Sequence, residues 1–243
     1  MAIQSRLPAF LLTRPTAQSH RFAEQLRQRF GEDISVTISP LLAPCFLEPP
    51  FPVGPIDALI FTSETGVAAY QAHSSRPHYY PKRAYCVGDR TAKAAVLAGL
   101  EPVSADGDAS ALVDLIRQDA PTRLLHVCGA HSRGDVAETL TKAGIATGVC
   151  VLYEQAEQPL THAAIALLQG NDPVLVPLFS PRTAALFCKQ VSTLCLQAPL
   201  TCAALSRAVG AELGGLKGAK LCYADKPTAL SLLEAIAVFY RAA

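Results

Sequence analysis

The chain has 243 residues, with 21 Lys and Arg against 20 Asp and Glu, and its net charge of +1 speaks against a nucleic acid or membrane surface as partner. Half the residues are apolar and 17% are charged, which excludes a disordered chain and supplies core for one large or two small α/β domains. No apolar run reaches the ~18 residues that cross a bilayer, and Pro8 and Pro15 break the opening stretch too early for a signal peptide, so a cytoplasmic protein is expected.

The first element is an apolar strand, Phe10 to Leu12, followed by a loop from Thr13 to Ser19. Phe22, Leu26 and Phe30 fall at helical spacing, Gly31 stops the helix, and the apolar run Ile34 to Ile38 follows. Asp57 to Tyr70 reads as a strand, a Thr62-Ser63 cap and a helix, and residues 84–99 follow with Gly88 and Thr91. After Asp106–Ile116 comes the stretch Arg123–Gln155. There a short buried strand, Leu124 to Cys128, leads into a polar loop, Gly129 to Gly134, that carries Ser132 and Arg133. Val136, Leu140 and Ala143 make the helix, Gly144 ends it, and the apolar run Gly148 to Tyr153 closes a strand–loop–helix–strand module. The pattern returns in Asp172–Phe187, with Ser180 at the turn, in 202–215, with Ser206, and from Ala224 onward.

These pieces recur in order. The segment 10–30 has its counterpart in 124–144, with Leu26 matching Leu140 and Gly31 matching Gly144. Ser180 takes the place of Ser63, Ser206 that of Gly88 and Thr228 that of Ser110, at a nearly constant offset. A duplicated α/β unit follows: two similar domains, each a parallel β-sheet flanked by helices. Two partitions satisfy the repeat. One cuts the chain near residue 120; the other joins 1–37 to 156–243 around a continuous inner domain, with Ser35–Ala43 and Val149–Ala156 as a two-strand linker.

Each strand-to-helix turn carries a hydroxyl or a glycine: Thr13, Thr62 and Ser63, Gly88 with Thr91, Gly129 with Ser132, Ser180 and Ser206. Singly, such residues are ordinary helix caps. Together they stand beyond the carboxyl ends of parallel strands, where open α/β sheets bind ligands and helix starts attract anions. Two such domains facing each other would turn many helix starts toward one cleft, suited to a ligand with several carboxylates or phosphates. The near-neutral charge leaves the binding to backbone N–H groups and a few arginines: Arg14, Arg90, Arg133, Arg182 and Arg207. Tyr153, at the end of its strand, is either an amphipathic strand-end residue or a phenol offered to the cleft as a hydrogen-bond donor or weak acid. The eight cysteines form no C-x-x-C and the six histidines no metal-ligand spacing, so buried reduced thiols and no catalytic metal are expected. His126 and Cys128 on one strand do little to make a nucleophilic dyad. Gly129 to Gly134 is neither a Walker loop nor a G-x-G-x-x-G turn.

The stretches LLTRP, IFTSETGVAAY, YCVGDRTAKAA, VCGAHSRGDVAETLTKAGIATGVCVLYE and LFSPRTAALF, in this order, resemble uroporphyrinogen-III synthases over nearly the whole chain. The resemblance implies the second partition, with an outer domain of residues 1–37 and 156–243, an inner domain of 38–155, and linker strands near 35–43 and 149–156. It implies a lyase that cyclises hydroxymethylbilane, a linear tetrapyrrole, to uroporphyrinogen III with loss of water and inversion of ring D. No cofactor is implied; the expected protein is a monomer that takes its substrate from hydroxymethylbilane synthase. Tyr153 falls on the tyrosine that assists departure of the hydroxyl, and Thr62, Ser63, Gly88, Thr91 and Ser180 fall on positions lining the cleft. Thr13, Arg14, Gly129, Ser132, Arg133 and Ser206 complete the expected substrate-binding set. The chain also departs from the family: Ser206 and Val209 stand where an I-G-x-x-T-A motif has glycine and threonine, Pro177 enters the strand, and no threonine precedes Ser180. The alternative is a non-catalytic two-domain protein that closes on a small polyanion.

Overall fold

The structure is a computed structural model that describes residues 8–131 and 135–241. In chain order its elements are β1 (Ala9–Leu12), α1 (Thr16–Phe30), β2 (Val36–Ile38), β3 (Leu42–Phe46), β4 (Ala58–Phe61), α2 (Glu64–Ala72), β5 (Arg83–Cys86), α3 (Asp89–Leu97), β6 (Glu101–Ser104) and α4 (Ala109–Asp119). These are followed by β7 (Arg123–Gly129), α5 (Val136–Lys142), β8 (Ala146–Glu157), α6 (His162–Gln169), β9 (Val174–Leu178), α7 (Pro181–Val191), β10 (Leu200–Ala204), α8 (Arg207–Ala211), β11 (Lys220–Tyr223) and α9 (Ala229–Arg241). The chain divides into two compact units, Met1–Ala43 with Glu157–Ala243, and Pro44–Ala156.

The first unit is built on a five-stranded sheet in the order β11-β10-β9-β1-β2, with every neighbouring pair parallel. Its strands are continuous apolar runs because both faces are covered: AFLL in β1 and VLVPL in β9 are buried throughout. The alternation of strand side chains divides the core into two layers. Phe10 and Leu12 pack with Phe22, Leu26, Leu232 and Ile236, while Leu11 joins Val176, Leu178, Ala184 and Phe187 on the other face. Pro177 removes a ladder donor, and it stands beyond the last β1–β9 pair, Phe10 with Leu175.

The second unit holds a six-stranded sheet in the order β3-β8-β7-β4-β5-β6. The pairs β8–β7, β7–β4, β4–β5 and β5–β6 are parallel. β3 runs the other way beside β8: Gln158 N–H donates to Leu41 C=O, and Leu47 N–H to Leu152 C=O. Leu59 and Phe61 face one apolar layer and Ala58 and Ile60 the other. The glycines that stop α1 and α5, Gly31 and Gly144, have φ of 104° and 89°, values that a side chain resists.

Two details differ from the sequence reading. Tyr153 does not end its strand, since β8 continues to Glu157 alongside β3. The partner of Thr228 in the repeat is Asp108, not Ser110: Asp108 caps α4 by accepting from Ser110 and Ala111 N–H, and Thr228 Oγ1 accepts from Ser231 N–H at the start of α9. The helix caps, not a constant offset, set that correspondence.

Candidate active site

In the second unit the parallel strands β8, β7, β4 and β5 bring their carboxyl ends to one edge of the sheet, and the residues that follow them line it in that order. Ser63 follows β4 and caps α2, its Oγ accepting from Gly66 N–H at 3.0 Å. The same oxygen lies 3.0 Å from the Tyr153 hydroxyl, which arrives from β8, two strands away. Adjacent strands are about 4.8 Å apart, so the phenol has to cross β7 to reach Ser63. It crosses over Gly129. A Cβ at that position would lie 2.6 Å from Cζ of the Tyr153 ring and 2.7 Å from Cε2.

A local irregularity aims the ring. Cys128 pairs with Val151, but the next residue, Gly129, pairs with Tyr153, so β8 carries one extra residue at this step. Such a bulge turns the following side chain relative to the regular pleat. It is fixed by a hydrogen bond from Ala130 N–H to Tyr153 C=O at 2.8 Å.

Beside this pair, Thr62 Oγ1 lies 3.4 Å from His126 Nε2. His126 is buried within β7, and burial pushes its pKa down to about 4, so the imidazole is neutral at physiological pH. Gly88 begins α3 from extended backbone and has no side chain to cap it. Thr91 is buried one turn into that helix. Ser132 and Arg133 lie outside the described residues.

The first unit presents a comparable edge. Ser180 caps α7, accepting from Thr183 N–H at 3.2 Å with Pro181 in the first turn, and its hydroxyl also bonds the Thr183 hydroxyl at 2.9 Å. Arg14 lies over the Phe179 ring, 3.9 Å from its centre, and reaches Gln18 Oε1 through Nε. Phe179, where the first copy has Thr62, meets Phe22 edge-on. Thr13 is not a helix cap: α1 starts at Thr16 after Pro15, and Thr13 Oγ1 is buried with no hydrogen-bond partner among the described residues. Ser206 caps the short helix α8 through Val209 N–H at 3.4 Å.

Among the described residues, no three His, Cys, Asp or Glu side chains group as metal ligands, and no helix is long and apolar enough to cross a membrane. The eight cysteines are unpaired, and burial pushes the thiols of Cys86 and Cys202 up to about 12 and those of Cys150 and Cys222 up to about 11, far from a reactive thiolate. A cavity of about 360 Å³ beside Arg117, Thr122 and Gly144 lies at the amino ends of β7 and β8, away from Tyr153.

The family model of uroporphyrinogen-III synthase HemD (HEM4) matches residues 20–234, most of the chain. The chain belongs to the uroporphyrinogen-III synthase family. It is an enzyme of tetrapyrrole synthesis, and its function is that of the family, the formation of uroporphyrinogen III. Among solved structures, it is similar to the uroporphyrinogen-III synthetase of Helicobacter pylori 26695, with a TM-score of 0.61 and 18% identity over 96% of this chain and 99% of that one. That likeness is one of fold. A mutant uroporphyrinogen III synthase of Thermus thermophilus aligns over 96% of this chain and 98% of its own, with 16% identity and a TM-score of 0.47. No curated protein sequence matches the chain.

The sequence named Ser63, Gly129 and Tyr153 separately, and the structure joins them into one group. It did not mark His126 as the neighbour of Thr62, nor Tyr223 and Gly210, which hold Arg207 in place. The His126 contact had a signal in the polar side chain inside the run LLHVC, since a buried imidazole needs a partner.

Proposed function

We propose that the protein is a cyclising hydro-lyase that converts hydroxymethylbilane to uroporphyrinogen III, with Tyr153 as the acid that assists departure of the hydroxyl. The hydrogen bond between Tyr153 and Ser63 is the observation that carries this reading. Ser63 Oγ already accepts from Gly66 N–H. Its own proton can then be given to the phenol oxygen, which leaves the phenol proton to be donated outward.

The reaction asks for little more than this donor and a shaped surface. The C–O bond of the hydroxymethyl group breaks as the pyrrole electrons push out the oxygen, and the phenol proton leaves with it as water. The azafulvenium cation left behind is attacked by the substituted α-carbon of ring D, giving a spiro intermediate that fragments and recloses with ring D inverted. The phenoxide formed at Tyr153 balances the cation's charge and takes back the proton released when the last pyrrole regains aromaticity. Unaided closure gives the uninverted isomer, so conformational control of the chain is the larger part of catalysis. The substrate's carboxylates are received at the helix starts marked by Thr62, Ser63, Gly88, Ser180 and Ser206, and by Arg14. The enzyme works as a cytoplasmic monomer and draws its substrate from hydroxymethylbilane synthase.

The test supplies hydroxymethylbilane, generated in place by its own synthase, and resolves the porphyrin isomers after oxidation. Formation of the type III isomer is expected; the type I isomer alone in the presence of excess protein would end the proposal. Tyr153→Phe is expected to lower turnover about a hundredfold or more without abolishing it. Unchanged turnover removes Tyr153 from the mechanism.

A further inference from the structure

The two units carry the same strand–turn–helix–strand piece, and strand register shows which residues correspond. In the second unit Cys86 pairs with Ser104, Ala105 N–H donates to Cys86 C=O, and Gly88 starts α3. In the first, Ala204 pairs with Tyr223, Ala224 N–H donates to Ala204 C=O, and Ser206 starts α8. Asp89, Ala92 and Ser104 of one copy therefore stand where Arg207, Gly210 and Tyr223 stand in the other.

These three differences belong together. Asp89 is occupied, its Oδ1 accepting from the Ser104 hydroxyl at 2.7 Å. Arg207 instead lies over the Tyr223 ring, with its guanidinium carbon 4.3 Å from the ring centre. The ring fits there only because residue 210 is glycine, since a methyl group at that point would overlap it. One change opens the space, the second fills it with an aromatic platform, and the third lays a cation on the platform.

The arrangement fixes the plane of the guanidinium and leaves its edge open. Arg207 is exposed, and among the described residues its N–H groups have no hydrogen-bond or ion-pair partner. A planar fork held in place loses less freedom on pairing with a carboxylate than a free side chain does. Another stacked arginine of this unit, Arg14 on Phe179, follows β1, while Arg207 follows β10. Those strands flank β9, whose turn holds Ser180, so the two cations are carried on strands about 10 Å apart along one sheet edge. Such spacing suits a ligand whose carboxylates sit on separate arms. The equivalent of the Thr91 hydroxyl is absent, since Val209 occupies that position.

We infer that Arg207, held flat on Tyr223 above Gly210, receives a carboxylate arm of the substrate through two parallel N–H···O bonds. The inference rests on the synthase reading for the identity of that substrate. Its test compares wild type with Arg207→Ala, Arg207→Lys and Gly210→Ala, measuring turnover of hydroxymethylbilane generated in place and binding of uroporphyrin III by fluorescence. Arg207→Ala is expected to raise KM and weaken uroporphyrin binding about tenfold or more, with the loss in KM rather than in kcat. Arg207→Lys recovers only part of this, because an ammonium lacks the fork. Gly210→Ala, which keeps the arginine and displaces its platform, raises KM in the same direction. KM for Arg207→Ala within twofold of wild type overturns the inference while the synthase reading stands. A wild-type protein that makes no type III isomer defeats the synthase reading, and equal uroporphyrin affinity of wild type and Arg207→Ala then overturns the inference as well.

Discussion

Replacing Gly129 by alanine puts one methyl group beneath the Tyr153 ring, and the structure fixes how far the ring must move. The new carbon would stand 2.6 Å from Cζ, 2.7 Å from Cε2 and 3.0 Å from the phenol oxygen. Non-bonded carbons rest at about 3.5–4.0 Å, so ring and strand must part by about 1 Å. The Tyr153–Ser63 contact, now 3.0 Å, cannot survive that displacement. Misplacing a reacting group by about 1 Å costs on the order of 10²-fold in rate. Gly129→Ala is therefore expected to reduce type III isomer formation about as much as Tyr153→Phe does, although every polar atom of the site is retained. Steady-state turnover with substrate generated in place measures it, and the melting temperature reports any overpacking, typically worth about 1–3 kcal/mol. The decisive comparison is the double variant. If Gly129 acts through the phenol, Gly129→Ala should cost little further turnover in a Tyr153→Phe background. Turnover of the single variant within twofold of wild type would refute the reasoning, as would full additivity in the double variant.

Ser63→Ala removes both a helix cap and the partner of the phenol; a stability loss of about 1 kcal/mol is expected from the cap, with turnover falling by more than the melting shift explains. Turnover that merely follows the folded fraction would leave Ser63 as a cap alone. His126 supplies a pH dependence: its folded pKa of about 4 lies below the unfolded value near 6.5. Stability is then complete above about pH 6.5 and falls as pH drops toward 4, while the unfolded chain takes up a proton that the folded chain refuses, by about 3 kcal/mol in all. Urea unfolding of wild type and His126→Gln at pH 7.5 and 4.5 should show a shallower loss for the variant; parallel losses would refute the assignment.

What the sequence made legible was the part governed by local rules. Apolar runs such as AFLL and VLVPL are strands because both sheet faces are covered, and Phe22, Leu26 and Gly31 mark a helix and its stop in the places found. Ser63, Ser180 and Ser206 cap the helices they precede. The function followed from the order of several weak motifs, and the family match over residues 20–234 covers all of them but LLTRP. The Tyr153–Ser63 pair itself depends on an extra residue in β8 at the step from Cys128 to Gly129, which no periodicity of side chains announces. A regular pleat would set Leu152 opposite Gly129 and turn the tyrosine to the other side. Burial of Thr13 and Thr91 was equally hidden, since a hydroxyl at a turn looks the same whether it caps a helix or lies beneath one.

The repeat also misled where it was most regular. A constant offset places Tyr223 opposite Ala105, and only strand pairing moves it to Ser104. In both units a glycine makes room for a tyrosine ring, at places that the repeat does not relate. Strands about 4.8 Å apart leave too little room for an aromatic ring to lie across a neighbour that carries a side chain. Gly129 of β7 clears the way for Tyr153, while Gly210, in the short helix α8, leaves room for Tyr223 of β11. In one unit the ring's hydroxyl is hydrogen-bonded to Ser63, and in the other the ring's face carries Arg207. The duplicated units thus differ in what a tyrosine packed over a glycine presents: a hydroxyl bonded to a serine in one, a platform for a cation in the other.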